Sequence, residues 1–344
     1  MNSSQSKNRF KVIFLGRGSL GMKVLKGLLK DKSILVEAIF NCPATTEVKY
    51  SKEDFKKVAA ENRIDFFFFR NLNNEAGRKI IKSFKPDLAV AMLWKNTISK
   101  EIISIPRYGF LNCHTGLLPQ YRGNACGNWA ILNEEDKFGV TVHFMNGDEL
   151  DNGPIIKQKI LKINRNILIG DLMDRTTKWG AKLVLEVVKE IQNKQLTSIK
   201  QDEKKASYCY PRLPRDGEIN WNDSAKKIFN LIRASGKPYP GAYSYFSDIM
   251  DKGKIKKITI WLAHIENHPL KKFYAISGHI LRLEQSKKWG VVTGDMKLII
   301  LDKIHINNQK VEAKNFFRTV RQRLGLDITE LIMNIYNKLN TKYS

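Results

Sequence analysis

The chain of 344 residues is poor in cysteine, poor in acidic residues relative to basic ones, and empty of long apolar runs. Its four cysteines, Cys42, Cys113, Cys126 and Cys209, make no CxxC pair and no zinc-binding spacing. That speaks against a metal site and fits a reducing, cytoplasmic setting. No apolar run reaches the roughly 18 residues needed to span a bilayer. Met1 to Arg9 is polar and has no hydrophobic signal core. The expectation is a soluble, unsecreted protein with no membrane partner.

Acidic residues number 34 against 59 Lys and Arg, a net charge of +25. Clustered cations release counterions from phosphate, so such a charge suits phosphate-bearing partners. Here the lysines are scattered along the whole chain among Asp, Glu and Asn, without a dominant basic block. Two readings stay open, a Lys-rich solvated surface and an electropositive groove for a phosphate-bearing substrate. The apolar fraction of 42% and charged fraction of 27% are those of a globular protein, and the length suits about two domains.

Strand and helix patterns alternate over the first half. Lys11 to Leu15 reads as a strand, closed by Gly16-Arg17-Gly18-Ser19-Leu20-Gly21 and followed by a helical pattern of Met22, Val24, Leu25, Leu28 and Leu29. This G-x-G-x-x-G has two readings. A nicotinamide site needs an acid at the end of the next strand. Ile34 to Phe40 ends on Asn41 instead, which favours a tight turn whose glycines bring the helix N-terminus close to the sheet or a substrate. A polar helix over Ser51 to Asn62, a strand over Ile64 to Phe69, a helix over Asn74 to Phe84 and a buried strand over Asp87 to Leu93 complete a doubly wound α/β pattern. Ile155 to Ile163 reads as a strand and Gly170 to Leu196 as a long helix, and Thr197 to Ser207 has the composition of a linker.

Beyond it, Asn222 or Asp223 can cap a helix that buries Ile228, Leu231 and Ile232. Short strands at Lys257 to Leu262, Gly278 to Leu283, Gly290 to Val292 and Lys297 to Leu301 suggest a small, mainly β, barrel-like domain. The expected boundaries are 1–205 for the α/β domain, 206–326 for the barrel-like domain and 327–344 for a helix or tail, the last covering the amphipathic stretch Ile328 to Leu339.

Chemistry concentrates between Tyr108 and Gln158. A strand at Phe110 and Leu111 runs into Asn112-Cys113-His114 before Gly116 and Pro119 end regular structure. Alternation puts Asn112 and His114 on one face and Cys113 on the other, so Cys113 is ill placed to act as a nucleophile beside His114. A second run, Val140 to Met145, carries His143, read either as a second base or as a half-buried strand histidine. The acidic loop Glu149-Leu150-Asp151-Asn152-Gly153 follows. An amide, an imidazole and a carboxylate thus come together at strand ends. Asn112 can donate to a developing oxyanion, His114 can move a proton, and Asp151 can orient the imidazole or take a proton through water.

Asn112-x-His114, Leu118-Pro119-x-Tyr121-Arg122-Gly123 and Leu150-Asp151-x-Gly153 together resemble the folate-dependent formyltransferase family, over roughly residues 11 to 245 and more weakly to about 325. The resemblance implies N10-formyltetrahydrofolate as formyl donor, an amine as acceptor, and Asn112, His114 and Asp151 as the catalytic set. It places the folate between Leu93, Trp94 and Lys95 on one side and Asn146, Gly147 and Asp148 on the other. The Met145 to Glu149 loop is about one residue longer than the family's, which leaves Asp148 as the fallback acid. Gly16, Gly18, Tyr121, Arg122 and Gly123 are expected to face the substrate, with the Arg122 guanidinium on a phosphate or, alternatively, in a surface loop. Asn41 to Val48, where tRNA-acting members carry a basic insertion, contains no Lys or Arg. The acceptor expected is therefore a dTDP- or UDP-linked amino sugar rather than nucleic acid, with methionyl-tRNA the alternative. A homodimer is allowed.

Overall fold

The computed structural model describes every residue except 1–8, 44–48, 148, 249–253, 271, 285, 314–316, 318–320, 327–330, 334, 337–338 and 341–344. Contacts divide the chain into two units, one of residues 1–127, 135–164 and 171–211, the other of residues 128–134, 165–170 and 212–344.

The first unit is a seven-stranded sheet built from β1 (Phe10–Gly16), β2 (Ile34–Asn41), β3 (Asp65–Phe68), β4 (Leu88–Met92), β5 (Phe110–His114), β7 (Lys137–Phe144) and β8 (Ile155–Lys162), in the order β3-β2-β1-β4-β5-β7-β8. Strands β1 to β5 are parallel, while β7 runs antiparallel to both β5 and β8. Both faces are covered, which is why the central strands read as continuous apolar runs. Val12 and Phe14 of β1 pack with Leu20, Val24, Leu25 and Leu28 of α1 (Gly18–Lys30), Phe55 of α2 (Lys52–Glu61) and Val184 and Val187 of α6 (Ile169–Gln192). On the other face Ile13 and Leu15 pack with Ile81 of α3 (Glu75–Phe84) and Ile102 of α4 (Lys100–Ile103).

Local signals set the helix starts. Ser51 and Asp54 form a capping box at α2, and the Asn74 side chain accepts from Gly77 N at 2.8 Å to cap α3. Asn41, in the place of a ribose-binding acid, donates from Nδ2 to Gly16 O at 2.8 Å and so ties the end of β2 to the glycine turn. A Cβ on Gly16 would fall 2.9 Å from Met92 O, so that glycine is required by the approach of β1 to β4. Strand order reverses between β1 and β4, where doubly wound sheets open a crevice at their carboxyl ends.

In the second unit β10 (Ala242–Asp248), β11 (Lys254–Glu266), β12 (Ile280–Arg282), β13 (Trp289–Val292) and β14 (Leu298–Ile306) form an antiparallel sheet in the order β10-β11-β14-β13-β12, with β15 (Gln309–Val311) on β14. This is the barrel-like, mainly β architecture expected. Helix α7 (Ala225–Ser235) lays Ile228 and Ile232 into its core with Ile258, Ile260 and Ile299. Ser224 caps α7 by accepting from Lys227 N, whereas Asp223, an expected cap, pairs with Lys227 Nζ at 2.7 Å. Strand β10 was not anticipated, its Tyr-Ser-Tyr-Phe-Ser run following directly on the turn at Pro240 and Gly241. Within the amphipathic stretch Ile328 to Leu339, residues 331–333, 335, 336 and 339 are helical and the others lie outside the described residues. Among the described residues no helix is long and apolar enough to cross a membrane.

Candidate active site

All of the chemistry-bearing residues described here belong to the first unit. Asn112 and His114 share one face of β5, and the antiparallel register sets Asn112 opposite His143 and His114 opposite Thr141. Cys113 points the other way into the core, 2% exposed, and burial pushes its thiol up to about 12. On the Asn112–His114 side, Cys126 Sγ lies 3.7 Å from His114 Nε2 and donates to the Tyr121 carbonyl at 3.0 Å, and its contact with Cys209 together with burial raises that thiol's pKa.

Asp151 joins the set from the loop after β7. One carboxylate oxygen lies 3.3 Å from His114 Nδ1 and accepts from Gly123 N at 3.0 Å. The other lies 3.6 Å from His143 Nε2 and accepts from Asn112 Nδ2 at 3.4 Å. His143 Nδ1 sits 2.8 Å from the Phe144 carbonyl, which can only accept, so the neutral ring keeps its proton there. Its Nε2 then accepts from Asn112 Nδ2 at 3.1 Å. Both amide hydrogens of Asn112 are engaged in this arrangement, and an oxyanion would gain one only in exchange for a present partner.

His114 is buried, and its Nε2 lies 2.6 Å from the Tyr121 carbonyl. The neutral ring accordingly protonates Nε2 and turns the Nδ1 lone pair toward Asp151. Burial lowers the imidazole pKa, and the Asp151 charge and Tyr121 carbonyl offset it only in part. Burial also raises the Asp151 carboxyl, but the charge of His114, the His143 contacts and the Gly123 N–H outweigh it and hold the acid well below the carboxylate range. The result is a carboxylate and an imidazole 3.3 Å apart, an arrangement able to take up a proton and keep it shared.

The Arg122 guanidinium, expected to face a phosphate or to lie in a surface loop, is turned into the chain. It is fully buried, with Nε and Nη2 donating to Gln201 Oε1 at 3.1 and 2.8 Å, Nη2 and Nη1 to the two Glu203 oxygens at 2.8 Å, and Nη1 to Tyr208 Oη at 2.8 Å. Its five N–H donors are all used within the chain, which leaves none for a substrate. Gln201 and Glu203 come from a stretch that reads as a linker, and in the same stretch Ile199 pairs through its backbone with Ile155. Tyr121 takes a left-handed backbone, φ +58, and its hydroxyl donates to Glu135 at 2.6 Å. Gly123, φ +101, has its Cβ position 2.5 Å from Cys209 O, because Arg122–Gly123 (β6) runs beside Tyr208–Cys209 (β9). Gly16 and Gly18 stand at the β1 to α1 turn, Gly18 with φ +67.

Of the expected folate loops, Trp94 and Met145 pack on the same apolar cluster, so the two loops share a floor. Leu93, φ +54, is exposed, and its carbonyl accepts from Arg17 Nε at 2.7 Å. Lys95 and Asn146 are exposed, whereas Gly147 is buried with its Cβ position 3.1 Å from Lys100. Asp148 lies outside the described residues. Among the described residues no group of three or more His, Cys, Asp or Glu is arranged to hold a metal. Sequence reasoning left His143 undecided and passed over Gln201, whose polar surroundings carry no local signal of burial.

The chain matches the formyl transferase family over residues 9–188 and the formyl transferase C-terminal domain over residues 213–321. It is 31% identical over 316 residues to the methionyl-tRNA formyltransferase of Carboxydothermus hydrogenoformans, covering 92% of this chain and 98% of that one. It is 32% identical over 255 residues to the bifunctional polymyxin resistance protein ArnA of Wigglesworthia glossinidia brevipalpis, covering 74% of this chain but only 38% of that protein. Among solved structures it is similar in fold to WlaRD, a sugar 3N-formyltransferase, with a TM-score of 0.60, 19% identity and coverage of 88% of this chain and 98% of that one. The N-formyltransferase of Helicobacter canadensis gives 0.59 at 20% identity, covering 88% and 100%. Fold and site define an enzyme of formyl transfer. The chain belongs to the formyl transferase family.

Proposed function

We propose that the chain transfers the formyl group of N10-formyltetrahydrofolate to the amine of a dTDP- or UDP-linked amino sugar. The reaction makes a bond between the formyl carbon and the acceptor nitrogen and breaks the bond to the donor nitrogen, while one proton leaves the acceptor and one reaches the donor. A neutral amine needs no covalent enzyme intermediate, so the protein's task is proton traffic and charge stabilisation. The observation that carries the reading is the contact of Asp151 with Asn112 and His114 at the end of β5. The Tyr121 carbonyl holds His114 in one orientation, and the Nδ1 lone pair is the proton acceptor, able to share a proton with Asp151 once it is taken up. Asn112, fixed by His143 and Asp151, is the donor nearest to hand for a developing oxyanion.

The amino sugar is favoured by the stretch Asn41 to Val48, which lacks any Lys or Arg. A nucleotide sugar brings two phosphates and needs few cations, whereas a tRNA would reward a local basic patch. Identity to methionyl-tRNA formyltransferase over nearly the whole chain supports the second reading, formylation of methionyl-tRNA. Assaying both acceptors side by side with N10-formyltetrahydrofolate separates them. Turnover of the nucleotide sugar with none of the charged tRNA is expected, and preferential formylation of the tRNA overturns the proposal.

A further inference from the structure

We propose that Gln201 is a positioning residue for Asp151, which rests on the catalytic reading of Asp151 given above. Gln201 is 4% exposed and uses every hydrogen-bonding position it has. Arginine only donates, so the Oε1 that meets Arg122 Nε and Nη2 must be the carbonyl end of the amide. The Nε2 end is thereby turned onto the carbonyls of Asp151 and Gly153, both at 2.7 Å. Carbonyl oxygens only accept, and a glutamine amide is the side chain that meets an arginine with one end and two carbonyls with the other.

The clamp acts on a backbone that needs holding. Asp151 is in the left-handed region, φ +53, which costs a non-glycine residue on the order of 1 kcal/mol. Gly153 passes so close to Phe144 that a Cβ would fall 1.8 Å from its carbonyl oxygen, so the loop has little room to relax. Arg122 precedes Gly123, whose N–H binds the Asp151 carboxylate. Gln201 therefore links the two segments that meet at Asp151, the 122–123 strand and the 151–153 turn. Glu203 grips Arg122 from the far side and completes the support.

The test compares Gln201→Met, which keeps the length and removes both amide functions, with Gln201→Glu, which keeps an acceptor for Arg122 and sets an oxygen against the two carbonyls. Both should lose between about 10- and 100-fold in kcat, the scale of a small misplacement of a reacting group. The acid limb of kcat/KM should move to lower pH, because His114 loses part of the carboxylate's support while its burial persists. Ile199→Ala, on the same segment but on an exposed side chain, should keep the wild-type rate and profile. The deciding measurement is the pair Asp151→Asn and Asp151→Asn with Gln201→Met, each referred to its folded fraction by circular dichroism. If Gln201 works through Asp151, the double variant is no slower than Asp151→Asn alone. Losses that multiply, or Gln201 variants with wild-type kcat and an unmoved limb beside a crippled Asp151→Asn, overturn the proposal. A fully active Asp151→Asn protein overturns the catalytic reading itself.

Discussion

Asp151 reaches His114 at 3.3 Å with the same carboxylate oxygen that accepts the Gly123 N–H, so the acid is fixed before any substrate binds. Replacing either partner removes proton handling and leaves the fold's main cores untouched. His114→Asn and Asp151→Asn should each lower kcat by about 100-fold or more. Single-turnover rates, with circular dichroism as the check on folding, measure this. A wild-type rate for Asp151→Asn would return the role to another acid, with Asp148 the first to test.

The pH dependence has a definite sign. Because burial lowers the His114 pKa, the neutral, proton-accepting ring persists below the ordinary histidine value, and the acid limb of kcat/KM should fall below about pH 6.5. The unfolded chain binds that proton more readily, so stability also declines as the pH drops from the ordinary histidine value toward the folded one. Asp151 contributes in the same direction at lower pH. Its folded pKa is depressed, so its contribution is complete above the ordinary carboxylate value and is lost as the pH falls through its folded value. A kcat/KM profile and urea unfolding at several pH values test both statements, and an acid limb above pH 6.5 would contradict the first.

The fold was legible wherever one periodicity ran unbroken. Buried parallel strands such as Leu88–Met92 are apolar throughout, and α3 announces itself with Asn74 at its start. The alternation of a single strand was enough to join Asn112 with His114 and to turn Cys113 away. What could not be read depends on long-range partners. Arg122 has the local context of a loop arginine, and its burial is decided by Gln201 and Glu203, about 80 residues further along. Gln201 sits between Lys200 and Asp202, so composition marks a solvated linker while tertiary hydrogen bonds make it part of the core.

Cys113 gives a clean negative control. Its thiol faces the core beside Gly180, whose Cβ position is 2.9 Å from Sγ, and at about 12 its pKa keeps it protonated. Cys113→Ser should lower stability by about 1–3 kcal/mol, because it buries a hydroxyl among apolar neighbours. Turnover per folded molecule should stay within about two-fold of wild type, since the proton relay does not use the thiol. Mass spectrometry of the wild-type protein quenched during turnover is the direct check, and a formyl thioester on Cys113 would defeat the mechanism.

Arg122 separates a structural from a substrate-binding guanidinium. Lysine keeps the charge but offers three donors from one atom, so it cannot span Gln201, Glu203 and Tyr208 as the planar fork does. The partner charge of Glu203 is largely exposed and screened, so most of the loss comes from the buried side: unmet Gln201 and Tyr208 groups and an ammonium without its fork. Arg122→Lys should therefore cost about 3 kcal/mol of stability, the scale of breaking a buried charged network. Among molecules that remain folded, KM for the acceptor should change little, because all five donors already point inward. Denaturant unfolding and acceptor titration on the same preparation measure the two effects. Unchanged stability together with a KM raised about ten-fold or more would restore Arg122 as a phosphate ligand.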